Sequence, residues 1–195
     1  MTTIDYYFSV QSPFTYLAGD RLERIAAARG VRIDYKPVDT GPVFAASGGV
    51  PVAKRPPARL AYRAQDLVRL ARAADLPFNL HPAHWPTNAA PASAAVAATQ
   101  IAGGDAGVLA RAVMRAVWAE ERDIADPATL SEIVSSTGGD MDALDHAAGA
   151  AAYAGNSEEA IARGVFGVPF YIVGEALFWG QDRLDALDRH LGELA

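Results

Sequence analysis

Strand-like patterning at both ends of the chain, separated by about a hundred residues of helical patterning, constrains this sequence more than any other feature. Thr3 to Ser9 is β-prone and rich in aromatics, so it reads as a strand. Gln11-Ser12-Pro13 breaks it, and Pro13 suits the first turn of a helix, where its missing N–H costs nothing. Phe14, Leu17, Ala18, Leu22, Ile25 and Ala26 then recur at helical spacing, and Gly30 is a C-terminal stop. Val31, Ile33 and Tyr35 alternate with Arg32, Asp34 and Lys36, which predicts a second strand. A right-handed β-α-β crossover makes the two strands parallel neighbours.

At the far end, Asn156 to Arg163 reads as a helix and Phe170 to Val173 as a strand. Gly174-Glu175 is a turn, and Ala176 to Trp179 answers as the second arm of an antiparallel hairpin. Gly180 ends it, and Arg183 to Leu194 carries Leu184, Leu187, Leu191 and Leu194 on one helical face. Between the ends, a Gly- and Pro-rich link is expected from Thr40 to Pro57, then helices over Ala58 to Ala74, over Ala92 to Ala102 and around Val108 to Val117. Leu76 to Pro91 holds several prolines and reads as a loop. Asp126-Pro127 is a helix start, and Asp140 opens one more short helix. The order is β-α-β, a helical block, then α-β-β-α.

Composition narrows the chemistry. The 195 residues suffice for one domain, or one domain with a large insertion, and a chain of this size buries roughly 70% of its unfolded surface. It contains no cysteine, which excludes a disulfide framework, a thiol nucleophile of its own and a cysteine-ligated metal. A thiol can still arrive with a ligand. The net charge of −6 and the lack of a basic stripe argue against nucleic acid. Met1 to Val10 carries Asp5 and alternates, unlike a signal peptide, and no stretch has the apolar length of a membrane span. A cytoplasmic location is the simplest expectation.

Ser12 lies where the first strand hands over to the first helix. Unpaired N–H groups and a partial positive charge there favour an anion, including a thiolate. Ser12 can equally be a plain N-cap before Pro13. Val168-Pro169 opens a strand, where proline is normally unwelcome. Either it begins an edge strand, or the bond is cis and leaves the Val168 backbone free for a ligand. Asp182 can cap the last helix, face an ammonium group, or both. Lys54 and Arg55, followed by Arg59, Arg63, Arg69 and Arg72 with Asp66 and Asp75 interleaved, read as a solvated helix face or as a partly cationic wall for a carboxylate. Asn88 can orient a carbonyl or hydroxyl or cap a helix, and Tyr35 and Asp39 close the second strand near the same edge. His81 and His84 lack nearby carboxylate partners in sequence, so no metal is expected.

Four segments in this order carry a resemblance: Tyr7-Phe8-Ser9 through Ser12-Pro13-Phe14-Thr15-Tyr16-Leu17, Lys54-Arg55-Pro56-Pro57, Gly164-Val165-Phe166-Gly167-Val168-Pro169-Phe170, and Phe178-Trp179-Gly180-Gln181-Asp182-Arg183-Leu184. Together they resemble the thioredoxin-fold branch of DsbA-type disulfide oxidoreductases and kappa-class glutathione transferases, and most closely the 2-hydroxychromene-2-carboxylate isomerases. The resemblance implies an α/β thioredoxin-like fold with a large all-helical insertion, residues 1–40 and 153–195 forming the thioredoxin-like part and 41–152 the insertion. It implies glutathione as cofactor, with Ser12, in the place of the redox cysteine, assisting the sulfur. It implies a cis Pro169, Val168 pairing with the cysteinyl backbone, and Gln181 and Asp182 holding the γ-glutamyl end. Tyr35, Asp39, Lys54 and Asn88 are the candidate contacts for an aromatic carboxylate substrate. A cytoplasmic homodimeric isomerase of aromatic-compound breakdown is expected, with a kappa-like transferase or a non-catalytic binding module as alternatives. Phe170 departs from the pattern, where a small or β-branched residue is expected.

Overall fold

Period-two alternation places the first strand's side chains on opposite faces, and both faces are covered. The computed structural model describes residues 1–194. β1 (Thr3–Phe8) lies at the middle of a four-stranded sheet of order β2-β1-β3-β4, with β2 at Arg32–Pro37, β3 at Phe170–Val173 and β4 at Ala176–Trp179. β1 and β2 pair in parallel, as the crossover requires, and β3 runs antiparallel to both β1 and β4. Ile4, Tyr6 and Phe8 of β1, with Tyr171 and Val173 of β3, join the main core. Tyr6 stacks on Phe8 and on Tyr171, with ring centroids 4.7 and 5.2 Å apart. Tyr7, Phe170 and Ile172 face the other way, into a smaller cluster with Val38, Val43, Ala160 and Val165. Each such buried side chain contributes about 1.5–3 kcal/mol.

Nine α-helices are found among the described residues. α1 (Pro13–Tyr16) and α2 (Arg21–Arg29) stand where one helix is expected. The apolar spacing continues through the break, but Gly19 takes φ +63 and a turn separates the two. α3 (Thr40–Ser47) occupies the first half of the expected link. The Asp39 carboxylate accepts the Gly41 N–H at 2.8 Å as its cap, and Pro42 in the first turn costs no hydrogen bond. A 3₁₀ turn at Val52–Lys54 leads into α4 (Pro57–Ala74). α5 (Ala90–Ile101), α6 (Ala106–Ala119) and α7 (Pro127–Ser136) follow near their expected positions, with a 3₁₀ turn after Asp140. A third 3₁₀ turn, Gln181–Arg183, precedes α9 (Leu184–Glu193).

α8 (His146–Ala162) starts ten residues before the expected Asn156, and the boundary drawn at 153 falls inside it. Glycine weakens a helix, yet one in α8 permits close packing. A Cβ on Gly149 would meet the Ala94 carbonyl of α5 at 2.4 Å, so these two alanine-rich helices touch backbone to side chain. The main core runs without a break from Ile4 and Tyr171 of the sheet to Leu67, Val113 and Leu130 of the helical block. A polar cluster ties α8 to the sheet. The Tyr7 hydroxyl donates to Glu159 at 2.7 Å, Lys36 donates to the same carboxylate at 2.8 Å, and Arg163 pairs with Asp5. Burial pushes Glu159 up, but the hydrogen bonds from Lys36 and Tyr7 and the nearby charges outweigh it and hold the carboxyl below its ordinary value.

Candidate active site

The C-terminal end of β1 runs straight into a turn that stops at Ser12, and a cavity of about 1110 Å³ opens there. Ser9 and Gln11 to Phe14 form its floor, Phe44 and residues 47–53 one side, Arg55, Arg59, Tyr62 and Arg63 another, and Trp85-Pro86 with Phe166 to Val168 and Trp179 the rest. Small-molecule sites commonly span roughly 300–1,000 Å³, so this one has room for two ligands together.

Ser12 is the N-cap of α1. Its Oγ accepts the Thr15 N–H at 3.3 Å through a lone pair, which leaves the hydroxyl proton free to donate. α1 has only four residues, so its dipole is weaker than the continuous helix expected there would supply. The usable donors are discrete instead: the Ser12 hydroxyl and the Phe14 N–H, which has no backbone or side-chain acceptor among the described residues. Two such donors on neighbouring residues of the cavity lining suit an anion.

The Val168-Pro169 bond is cis, as is Trp85-Pro86, which no sequence signal marked. Val168 lines the cavity, and its N–H and C=O have no backbone partner among the described residues. Pro169 is buried beneath it, and its carbonyl accepts the Gly180 N–H at 2.9 Å. That bond brings Gln181 and Asp182 next in line behind the cavity wall, although neither lines the cavity. Gln181 is buried and its carbonyl accepts from Arg21 at 3.3 Å, while Asp182 is exposed and paired with Arg183 at 2.8 Å. Phe170 turns away from the cavity into the smaller core cluster, where its ring meets Phe166 edge-on at 5.3 Å.

The candidate substrate contacts are scattered. Tyr35 lies away from the cavity, with its hydroxyl on Glu23 at 3.1 Å, and burial pushes that phenol up, helped by the Glu23 charge. Asp39 caps α3, Lys54 is exposed just outside the cavity, and the Asn88 side chain accepts the Ala90 N–H at 3.1 Å at the start of α5. The cations that do line the cavity are Arg55, Arg59 and Arg63.

Sequence reasoning passed over Gln11. Its side-chain amide donates to the Thr87 carbonyl at 2.7 Å and accepts the Thr87 N–H at 2.9 Å, while its own carbonyl accepts the Trp85 indole N–H at 3.1 Å. Three hydrogen bonds thus clamp the proline-rich loop against the serine turn. Thr87 also donates to Asp123 at 2.7 Å, and the Ala125 N–H with this hydroxyl holds the Asp123 carboxyl below its ordinary value. Nothing local in the sequence signals a clamp between residues so far apart.

Comparison with known proteins agrees with this architecture. The DSBA-like thioredoxin domain matches residues 3–192. A 2-hydroxychromene-2-carboxylate isomerase from Sphingobium xenophagum is 32% identical over 195 residues, covering 97% of each chain. A solved structure of a 2-hydroxychromene-2-carboxylate isomerase superposes with a TM-score of 0.79 at 29% identity, over 98% of this chain and 95% of that one. The cytosolic disulfide reductase DsbM from Pseudomonas aeruginosa, solved with GSH, shares the fold at a TM-score of 0.66 and 21% identity, over 98% of this chain and 96% of that one.

Proposed function

Because this chain belongs to the DSBA-like thioredoxin domain family and, within it, to the 2-hydroxychromene-2-carboxylate isomerases, we propose that it interconverts 2-hydroxychromene-2-carboxylate, or a close aromatic analogue, and trans-o-hydroxybenzylidenepyruvate with the help of glutathione. The observation that carries this is Ser12: a hydroxyl with its proton to give, at the floor of a two-ligand cavity, in a chain without cysteine.

The residues present suit glutathione. The unpaired Val168 N–H and C=O offer a peptide-like edge to its cysteinyl backbone, and Gln181 with Asp182 stand behind that edge for its γ-glutamyl end. Glutathione held there would supply a thiol nucleophile for reversible addition to a conjugated carbon, which is what a double-bond isomerisation needs. Ser12 donates its hydroxyl proton in a hydrogen bond toward the sulfur, and the Phe14 N–H adds a second donor. Phe14, Trp85 and the clamp through Gln11 exclude water from the turning bond and fix the wall against which an aromatic ring lies. Glutathione is the thiol of reducing compartments, which supports a cytoplasmic setting. The edge strand β4 carries unpaired backbone groups and the exposed Leu177, and leaves room for a second copy of the chain beside it.

The test is product analysis with glutathione below the substrate concentration. Many turnovers per glutathione, an unchanged product mass and an altered double-bond geometry support the proposal. A product heavier by one glutathione assigns a conjugating transferase instead, and a rate indifferent to glutathione removes the thiol from the mechanism.

A further inference from the structure

None of the three arginines in the cavity wall has a carboxylate partner among the described residues, and one of them is also held against aromatic rings. Arg63 lies on α4, and its guanidinium carbon sits 5.9 Å from the centroid of the Phe14 ring and 5.6 Å from that of Trp85. Its Nε is buried and has no hydrogen-bond partner among the described residues. Buried polar groups are nearly always paired, and an unpaired buried donor is costly. Asp66, the one acid among the described residues that line the cavity, is 3.8 Å from Arg69. Arg59, one turn before Arg63 on α4, and Arg55, just ahead of that helix, share the wall, so the local field is positive. Burial, and then the charge of Arg55, pull Arg63 below its ordinary value, and burial and Arg59 do the same to Arg55. The protein alone therefore leaves the Arg63 guanidinium without a polar partner at its buried Nε, whereas Arg55 donates to the Val50 carbonyl at 2.9 Å, and an arriving anion relieves Arg63.

We infer that Arg63 anchors the carboxylate of the aromatic substrate, its guanidinium held in place by Phe14 and Trp85, whose rings offer an apolar wall to the substrate's own ring. This rests on the isomerase reading of the cavity and adds the residue that selects an acid over a neutral analogue. The planar fork of Arg63 matches a carboxylate in a bidentate pair. Its contact with two rings restricts its rotamers beforehand, so little is lost when the anion binds.

The test uses chromone-2-carboxylate and its methyl ester as unreactive probes in calorimetric titration of wild type, Arg63→Met and Arg63→Lys, alongside glutathione titration and isomerase kinetics. Wild type is expected to prefer the acid to the ester by roughly 10- to 100-fold, the scale of one buried charge-assisted pair. Arg63→Met, which keeps the stem against the rings, is expected to lose that preference, and Arg63→Lys to keep part of it. KM for the isomerised acid should rise more than kcat falls, with glutathione affinity unchanged. An acid preference that is missing in wild type or survives in Arg63→Met overturns the anchor. A matching loss of glutathione affinity also overturns it and assigns Arg63 to a glutathione carboxylate. An Arg63-dependent acid preference in a wild type that isomerises nothing supports the anchor and refutes the isomerase reading. If Arg63→Met does not fold, Arg63→Lys decides: a full acid preference with unchanged KM overturns the anchor, and a partial one supports it.

Discussion

Replacing Ser12 by alanine separates a capping role from a chemical one, because the two losses differ in size. As a cap, Ser12 accepts one hydrogen bond, 3.3 Å long, from a helix of four residues. Cap removal costs about 0.5–2 kcal/mol in general, and this long bond on so short a helix puts it near 0.5 kcal/mol. α1 is also held by other means: the buried Tyr16 hydroxyl donates to the Pro77 carbonyl at 2.6 Å. As a donor to a sulfur anion, the same hydroxyl contributes a charge-assisted bond of about 1.5–3 kcal/mol. That corresponds to a thiol pKa lowered by roughly one to two units from about 8.5. At neutral pH the thiolate fraction then rises from a few per cent to about a quarter or more. Ser12→Ala is therefore expected to lower kcat/KM at pH 7 by roughly 8- to 25-fold, the ratio of the two thiolate fractions, while the protein melts within a few degrees of wild type. The assay is the pH profile of kcat/KM together with the ultraviolet absorbance of the bound thiolate. Removing the donor raises the thiol's pKa, so the acidic limb of both curves must move to higher pH. A limb that stays in place, with kcat/KM within threefold of wild type, would refute the role given to Ser12.

Three further perturbations probe the frame around it. Gln11→Ala removes both hydrogen bonds to Thr87 and should raise KM for the aromatic substrate several-fold at a cost of about 1–2 kcal/mol in chemical denaturation; an unchanged KM would show that the loop is positioned without it. Gly149→Ala drives a Cβ into the Ala94 carbonyl and should destabilise the fold by about 2–3 kcal/mol, visible as a lower denaturation midpoint, whereas a neutral effect would mean that α5 and α8 are not so tightly apposed. Glu159→Gln tests the cluster under the sheet. Since this carboxyl is held low, its contribution is complete above the ordinary glutamate value of about 4.3 and is lost as the pH falls through the lowered one. The gap between wild type and variant, about 1 kcal/mol at pH 7 after allowance for its partial exposure, should close on acidification, and a gap that widens would reverse the sign of the account.

The terminal strands were legible because nothing competes with their pattern: Phe170 to Val173 and Ala176 to Trp179 flank a two-residue turn at Gly174-Glu175, and the hairpin forms at those bounds. Helices went unread where glycine or proline sits inside them. Gly41-Pro42 disguised α3, and Gly149 and Gly155 disguised the first half of α8, although Gly149 is there because α5 passes too close for any side chain. The opposite error came at Leu17 to Asp20, where helical spacing persists across a turn made by Gly19. At the site, Ser12 and Val168 were visible from the strand-helix and proline signals. The arginines could be read either as a solvated face or as a cationic wall: that Arg63 meets both Phe14 and Trp85 at the cavity depends on contacts between distant segments. The Gln11 clamp is of the same kind, since its partner Thr87 lies 76 residues away.

A crystal structure of the protein with glutathione bound tests the central claim most directly. The account predicts the sulfur within hydrogen-bonding reach of Ser12 Oγ and the cysteinyl backbone alongside Val168. A sulfur placed elsewhere in the cavity, with the Ser12 hydroxyl left facing solvent, would contradict it.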